Sequence, residues 1–208
     1  GVAGDSFDFR ILDHVVAPRL GKGTRYRSFG KLLPMPAHYH AAFAQWHRLS
    51  LLKAPGTLSE LRRLARDAEA PELIEALIAV IEHDLGYALY LAVSALKLKL
   101  SSAERAPFRF AAADLAIEAE VTRADFETWI AGDLARIAGA VDLALERAAI
   151  APPAIDAVFM TGGTSYVPAV RALFATRFGH ERLHYGDAFN SVASGLALIA
   201  ADAARMTP

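Results

Sequence analysis

The stretch Asp156-Ala157-Val158-Phe159-Met160-Thr161-Gly162-Gly163-Thr164-Ser165-Tyr166-Val167-Pro168-Ala169-Val170-Arg171-Ala172-Leu173-Phe174 decides how this chain is read. Ala157 to Met160 is an apolar run that predicts a buried strand. Gly162 and Gly163 then turn the chain, and Pro168 stands early in an amphipathic helix carrying Val170, Leu173 and Phe174. A strand that feeds a Gly-Gly turn into a helix brings bare backbone close to a ligand, and a helix N-terminus favours negative charge. By itself the turn is equally an ordinary connection within an α/β unit.

The flanking sequence falls into blocks. Asp5 can cap a helix running through Val16, Gly21-Lys22-Gly23 breaks it, and Pro34 and Pro36 predict a loop over Gly30 to Ala37. A helical block follows. Ala41 to Leu52 carries Phe43, Trp46 and Leu49, and Ser59 to Asp67 carries Leu61 and Leu64. Pro71 then stands in the first turn of a long helix, where its missing N–H costs nothing. Leu73, Ile74, Leu77, Ile78, Ile81, Leu85 and Leu89 recur at helical spacing and predict one buried stripe, on a helix that continues to Leu98 with Gly86 its only weak point. Pro107 to Ala111 and Leu115 to Val121 alternate as a hairpin around Ala113-Asp114. Thr122-x-x-Asp125 has the form of a capping box opening a helix through Phe126, Ile130, Leu134, Ile137, Val141 and Leu145, which Pro152-Pro153 ends. Beyond the Gly-Gly segment, a short strand is expected at Leu183 to Tyr185 and a final helix from about Ser191 to Ala203.

Composition sets limits on function. At 208 residues the chain can bury a real core, as one domain or two subdomains. A net charge of −1 argues against a nucleic-acid footprint, which needs a basic face. The absence of cysteine excludes a disulfide framework and thiol chemistry, and suits a reducing compartment. No secretory signal is legible at the start. Leu73 to Leu100, the most hydrophobic segment, contains Glu75, Glu82, His83 and Asp84 and is a poor membrane span.

Gly162-Gly163-Thr164-Ser165-Tyr166-Val167-Pro168-Ala169-Val170-Arg171 resembles the adenosine-side loop of the DnaK-type heat-shock chaperones, which share the actin-like ATPase fold. Further stretches match in the same order. Ala3-Gly4-Asp5-Ser6-Phe7-Asp8-Phe9-Arg10-Ile11-Leu12-Asp13-His14 resembles that family's Gly-Gly-x-Asp-Phe-Asp-x-Arg-hydrophobic segment, and Leu91 to Ser102, ending Lys97-Leu98-Lys99-Leu100-Ser101-Ser102, its Lys-Arg-x-Leu-Ser-Ser adenine-binding helix end. Val121-Thr122-Arg123-Ala124-Asp125-Phe126-Glu127 resembles Ile-Thr-Arg-x-x-Phe-Glu, and Ser191-Val192-Ala193-Ser194-Gly195-Leu196-Ala197 resembles Ala-Val-Ala-x-Gly-Ala-Ala. The loop is most similar to the divergent YegD-like branch.

The resemblance implies an α/β fold: a partial actin-like (ribonuclease H-like) ATPase lobe with a large helical subdomain. Residues 1–120 would form the helical subdomain, with the hairpin at its end and an adenine-side helix over 71–102. Residues 121–208 would form the α/β core with the Gly-Gly loop. The family's Asp-x-Gly-Thr-Thr phosphate loop, catalytic Lys and second phosphate loop find no match here. The chain is therefore expected to be a piece of the second lobe, to carry no catalytic residue and no metal ligand, and to show no hydrolysis by itself. ATP or ADP with Mg is the implied ligand of the full-length protein, with a protein client or co-chaperone as partner, no nucleic acid or membrane, and a cytoplasmic stress-response setting.

Carried over residue by residue, Lys97 and Ser101 stand where the family's Lys and Ser contact adenosine, and Gly162, Gly163 and Thr164 lie on its nucleotide loop. Gly4 matches a glycine near the cleft. Departures are several. The acidic residue of the adenine helix falls at Ser94 and its stacking Arg at Leu98; the loop's stacking Arg is replaced by Tyr166, whose π-face can still stack. Phe189 occupies the column of an acidic residue, with Asp187 nearby. These departures leave a second reading open, an interaction module with a degenerate pocket that binds a protein through the block from Phe29 to Leu100. A sugar kinase of the same superfamily fits the Lys97 and Thr122 stretches less well. His38-Tyr39-His40 with His47 has metal-ligand spacing but no acidic or Cys partner beside it.

Overall fold

The computed structural model describes residues 4–186, 195–197 and 199–200. The chain divides into two compact units, Gly1–Ala131 and Gly132–Pro208. Among the described residues the strands form three two-stranded sheets, and helix dominates.

In the first unit, α1 (Gly4–Ile11) continues through a π-helical turn at Leu12–Val16 and a 3₁₀ turn at Ala17–Leu20. Gly21 stops it in the left-handed region at φ 87°, where a Cβ would also press on Ile74 Cγ1 at 3.3 Å. The loop expected over Gly30 to Ala37 is corrected in its first half. Arg25–Ser28 (β1) and Lys31–Pro34 (β2) form an antiparallel hairpin. Its two-residue turn has φ 47° at Phe29 and φ 75° at Gly30, the hand that matches strand twist. Pro34 lies at the last position of its strand, opposite Arg25, where a missing donor is tolerated.

The chain then winds through α2 (Ala37–Ala41), a 3₁₀ stretch at Ala42–Lys53, and α3 (Pro55–Arg66), which buries Leu61, Leu64 and Ala65. The single helix expected over 71–102 is also corrected. It is two helices, α4 (Pro71–Glu82) and α5 (Gly86–Ser102), bent by 104° at the break. The cause lies just before Gly86. Asp84 adopts φ 54°, and Leu85 N–H donates to Val80 O at 3.0 Å, so a left-handed residue closes α4 in a Schellman arrangement. Gly86 is the first residue of the next helix, and the predicted stripe is split: Ile74, Leu77, Ile78 and Ile81 are buried from α4 and Leu89 from α5, where Val93 and Leu96 join it, while Leu73 and Leu85 are only half-buried. Among the described residues no single helix is long and apolar enough to cross a membrane.

Strands β3 (Arg105–Ala112) and β4 (Leu115–Thr122) form the expected hairpin, turning at Ala113-Asp114. Ala106, Phe108 and Phe110 alternate inward and face Val121, Ala119 and Ile117 across the ladder. Thr122 then caps α6 (Arg123–Ala148): the Asp125 N–H donates to Thr122 Oγ1 at 3.1 Å, and the Thr122 hydroxyl donates to Asp125 Oδ2 at 2.6 Å. Phe126 on this helix meets Phe7 of α1 edge-on, both almost fully buried.

In the second unit, β5 (Val158–Met160) runs parallel to β6 (Leu183–Tyr185), with Val158 opposite Leu183 and Met160 opposite Tyr185. The connection between them holds a 3₁₀ turn at Gly163–Tyr166 and α7 (Pro168–Phe178). Arg177 pairs with Asp142, and Arg182 Nη1 donates to the Pro153 carbonyl at 2.9 Å, tying this α/β unit to the segments before it. Of the final helix expected over 191–203, residues 195–197 and 199–200 are helical and the remainder lies outside the described residues, as do Asp187, Phe189 and most of the Ser191-to-Ala197 segment.

Candidate functional site

The predicted site residues fall into two groups, one in each unit. The first is built on the C-terminal half of α5. Ser94 and Lys97 stand three residues apart, one above the other on one helix face. Both turn to Asp8 of α1: Lys97 Nζ lies 2.8 Å from Asp8 Oδ1, and the Ser94 hydroxyl donates to Asp8 Oδ2 at 3.4 Å. Asp8 is 3 % exposed. Burial holds its carboxyl above the usual carboxylate range, the Lys97 ammonium opposes that rise, and nearby Asp5 adds to it. A small cavity of about 50 Å³ beside this pair is lined by Asp5, Asp8, Phe9, Phe43 and Tyr90.

Lys97 is therefore neither a fully solvated lysine nor a free one; its side chain is 15 % exposed and its charge is matched from within the unit. The Ser101 hydroxyl donates to Lys97 O at 3.1 Å, one turn back along α5. Arg123 Nε donates to Leu100 O at 2.8 Å, satisfying a carbonyl at the helix end. Gly4 is the first residue of α1, the helix that carries Asp8. Leu98, in the column of an expected arginine, is 65 % exposed. Asp8 lies inside a segment that the sequence marks, yet its role is not legible there. The signal is an acidic residue in an otherwise apolar Phe-Asp-Phe run.

The second group is the loop after β5. Gly162 has φ 80° and ψ 158°, a conformation open to glycine alone, with no atom within 4 Å of where a Cβ would stand. Gly163, Thr164, Ser165 and Tyr166 form the 3₁₀ turn that follows. Ser165 is buried and folds back on the turn, its N–H donating to Gly162 O at 3.0 Å and its hydroxyl to the same oxygen at 2.7 Å. Arg171 of α7 completes the arrangement. Its Nε donates to Ser165 O at 2.9 Å, and its guanidinium carbon lies 5.3 Å from the Tyr166 ring centre and 4.6 Å from that of Tyr185. Arg171 is visible in the decisive stretch, yet nothing in a linear sequence says that β6 delivers Tyr185 to it.

The histidines take another role. His40 Nε2 donates to Leu20 O at 3.0 Å and the ring is buried, while the His38 ring lies tilted by 41° against Tyr39, ring centres 4.0 Å apart. Among the described residues no group of His, Asp and Glu could hold a metal ion.

Residues 86–203, more than half of the chain, match the family model described as Hsp70 protein. The chain belongs to the Hsp70 family. The match takes in α5 with Lys97 and Ser101, the capped start of α6, and the Gly162 loop. The chain is also similar to "Chaperone protein DnaK" of Thermus thermophilus, 40 % identical over 67 residues, which is 32 % of this chain and 11 % of that protein. The same figures hold for the "Chaperone protein DnaK" of a second Thermus thermophilus strain. This Hsp70-family chain thus spans a small part of the curated relatives it matches.

Proposed function

We propose that the chain supplies the adenosine-binding part of the second lobe in an Hsp70-type nucleotide cleft, as a chaperone-ATPase segment of the YegD-like kind. The observation that carries this is the Gly162 loop. It is a glycine-only backbone between strand and helix, clear of neighbours where a side chain would be, with a half-buried tyrosine ring at its end. Such a loop lets a ligand approach main chain, and a tyrosine face accepts a base by stacking. Lys97 and Ser101, inside the same family match, would supply the ribose side, with Asp8 orienting the Lys97 ammonium. ATP or ADP brings its own phosphates and Mg. In this reading the family's phosphate loops and catalytic Lys, which find no match in the sequence, belong to other parts of the cleft, and positioning and charge stabilisation of the transferred phosphoryl come from there.

Calorimetric titration with ADP and with ATP, with and without Mg, tests the reading. Saturable binding that Tyr166→Ala weakens by about tenfold is expected, given the usual worth of a base stacked on an aromatic ring. Absence of binding, in this chain and in one extended upstream, would overturn it, and sustained ATP turnover by the 208-residue chain would overturn the assignment of hydrolysis elsewhere.

A second reading rests on the β1–β2 hairpin. Phe29 at its tip is fully exposed with a left-handed backbone, and Leu32 and Leu33 are exposed beside it. A bulky residue held in that conformation at an exposed tip favours a protein-binding role for the helical unit. Loss of partner capture on Phe29→Ser with nucleotide binding unchanged would support this role alongside the first. Nucleotide silence in the extended protein would leave it standing alone.

A further inference from the structure

We propose that Arg171 is the positioning residue of the nucleotide loop, fixing the Tyr166 ring against which a planar base stacks. This rests on the adenosine reading above. Three elements meet at its guanidinium: the turn at Ser165 and Tyr166, α7 that follows it directly, and the end of β6 at Tyr185, which lies further along the chain. Arg171 N–H donates to Val167 O at 3.1 Å, so the side chain projects from the first turns of α7, next to the loop it holds. Nε grips the Ser165 carbonyl while the planar face lies within cation–π distance of both rings. Ser165 in turn closes on Gly162 O with its N–H and its hydroxyl, so the grip reaches the glycine hinge.

A tyrosine at the end of a glycine turn has two side-chain torsions and a soft backbone behind it. Ordering all of these on binding would subtract from the affinity of a stacked base. A guanidinium suits the task better than an ammonium, because its plane stacks on an aromatic face while an N–H in that same plane serves the carbonyl. Tyr166 touches the ligand in this scheme. Arg171 acts through Tyr166.

The test is ADP titration of the full chain in a double-mutant cycle of Arg171→Gln and Tyr166→Ala, with thermal unfolding of each variant as the fold control. Arg171→Gln is expected to weaken ADP about tenfold in the wild-type background, between the worth of an exposed and of a desolvated cation–π contact, and to change little further once Tyr166 is alanine. Arg171→Lys, which keeps the charge without the planar fork, is expected to recover only part of the loss. It carries the same cycle should the glutamine variant fail to fold. Wild-type affinity in Arg171→Gln would overturn the proposal and leave the adenosine reading intact. An equal loss in both backgrounds would also overturn it, since that marks a general structural role. No ADP binding by any form, the wild type included, in this chain and in one extended upstream, would overturn the adenosine reading and this proposal with it.

Discussion

The two units of this chain handle a positive charge in opposite ways. In the helical unit, Lys97 is almost enclosed and is answered by a buried carboxylate on another helix. In the α/β unit, Arg171 stays half-exposed and is answered by a carbonyl and two tyrosine rings. The difference follows from water. Where solvent is excluded, an ammonium needs a full opposite charge, and the desolvation that lifts the Asp8 carboxyl is the cost of providing it. Where solvent still reaches, π-faces and a single hydrogen bond suffice, and the cation is left to organise a loop.

The largest expected effect breaks the first arrangement. Lys97→Met leaves Asp8 buried without its counter-charge and should cost about 3 kcal/mol in urea unfolding of the helical unit. The double variant Asp8→Asn, Lys97→Met should recover much of that. The single-variant loss should also shrink in acid, where Asp8 takes up a proton. A loss independent of Asp8 would show that the pair is not what Lys97 contributes.

Next in size is Gly162→Ala, which strains a backbone at φ 80° without any clash and should cost about 2 kcal/mol. That cost should appear in hydrogen exchange of the α/β unit and leave α4 and α5 unchanged. Thr122→Ala removes the cap of α6 and should cost about 1 kcal/mol, seen as faster amide exchange in the first turn of that helix.

The smallest effect is a pH dependence confined to the helical unit. Burial holds His40 below its ordinary value of 6.5, helped by Lys22 and His38 and opposed by the Leu20 carbonyl and Asp13. As pH falls, the unfolded chain therefore binds a proton first. The contribution of neutral His40 is fully present above about pH 6.5 and is lost as pH falls through the lower folded value. Thermal melts of the wild type and His40→Gln across that range should converge in acid; parallel curves would remove His40 as the cause.

How far these contrasts were legible in the sequence depends on their range. The hairpin of β3 and β4, the Thr122 cap and the Gly162 turn are written in neighbouring residues, by alternation, by a hydroxyl three residues before an acid, and by glycine. The break between α4 and α5 was not, because Asp84 takes a left-handed conformation more typical of glycine while the apolar stripe runs on past it. The β1–β2 hairpin was hidden for a similar reason: Phe29 occupies a turn position that favours Asn or Gly, and two prolines suggested a loop. At the candidate site, Lys97 and the glycines stand out in the sequence, but the groups that the fold sets beside them do not. Asp8 reaches Lys97 across most of the first unit, and Tyr185 reaches Arg171 only through the pairing of β6 with β5.

The central claim is that the Gly162 loop receives an adenine base against the Tyr166 ring. Photolabelling with an azido-adenine derivative of ADP, followed by peptide mapping, addresses it most directly. The account predicts label in the peptide of the Gly162–Tyr166 loop, competed away by unmodified ADP. Label found only elsewhere on the chain, with none in this loop, would contradict it.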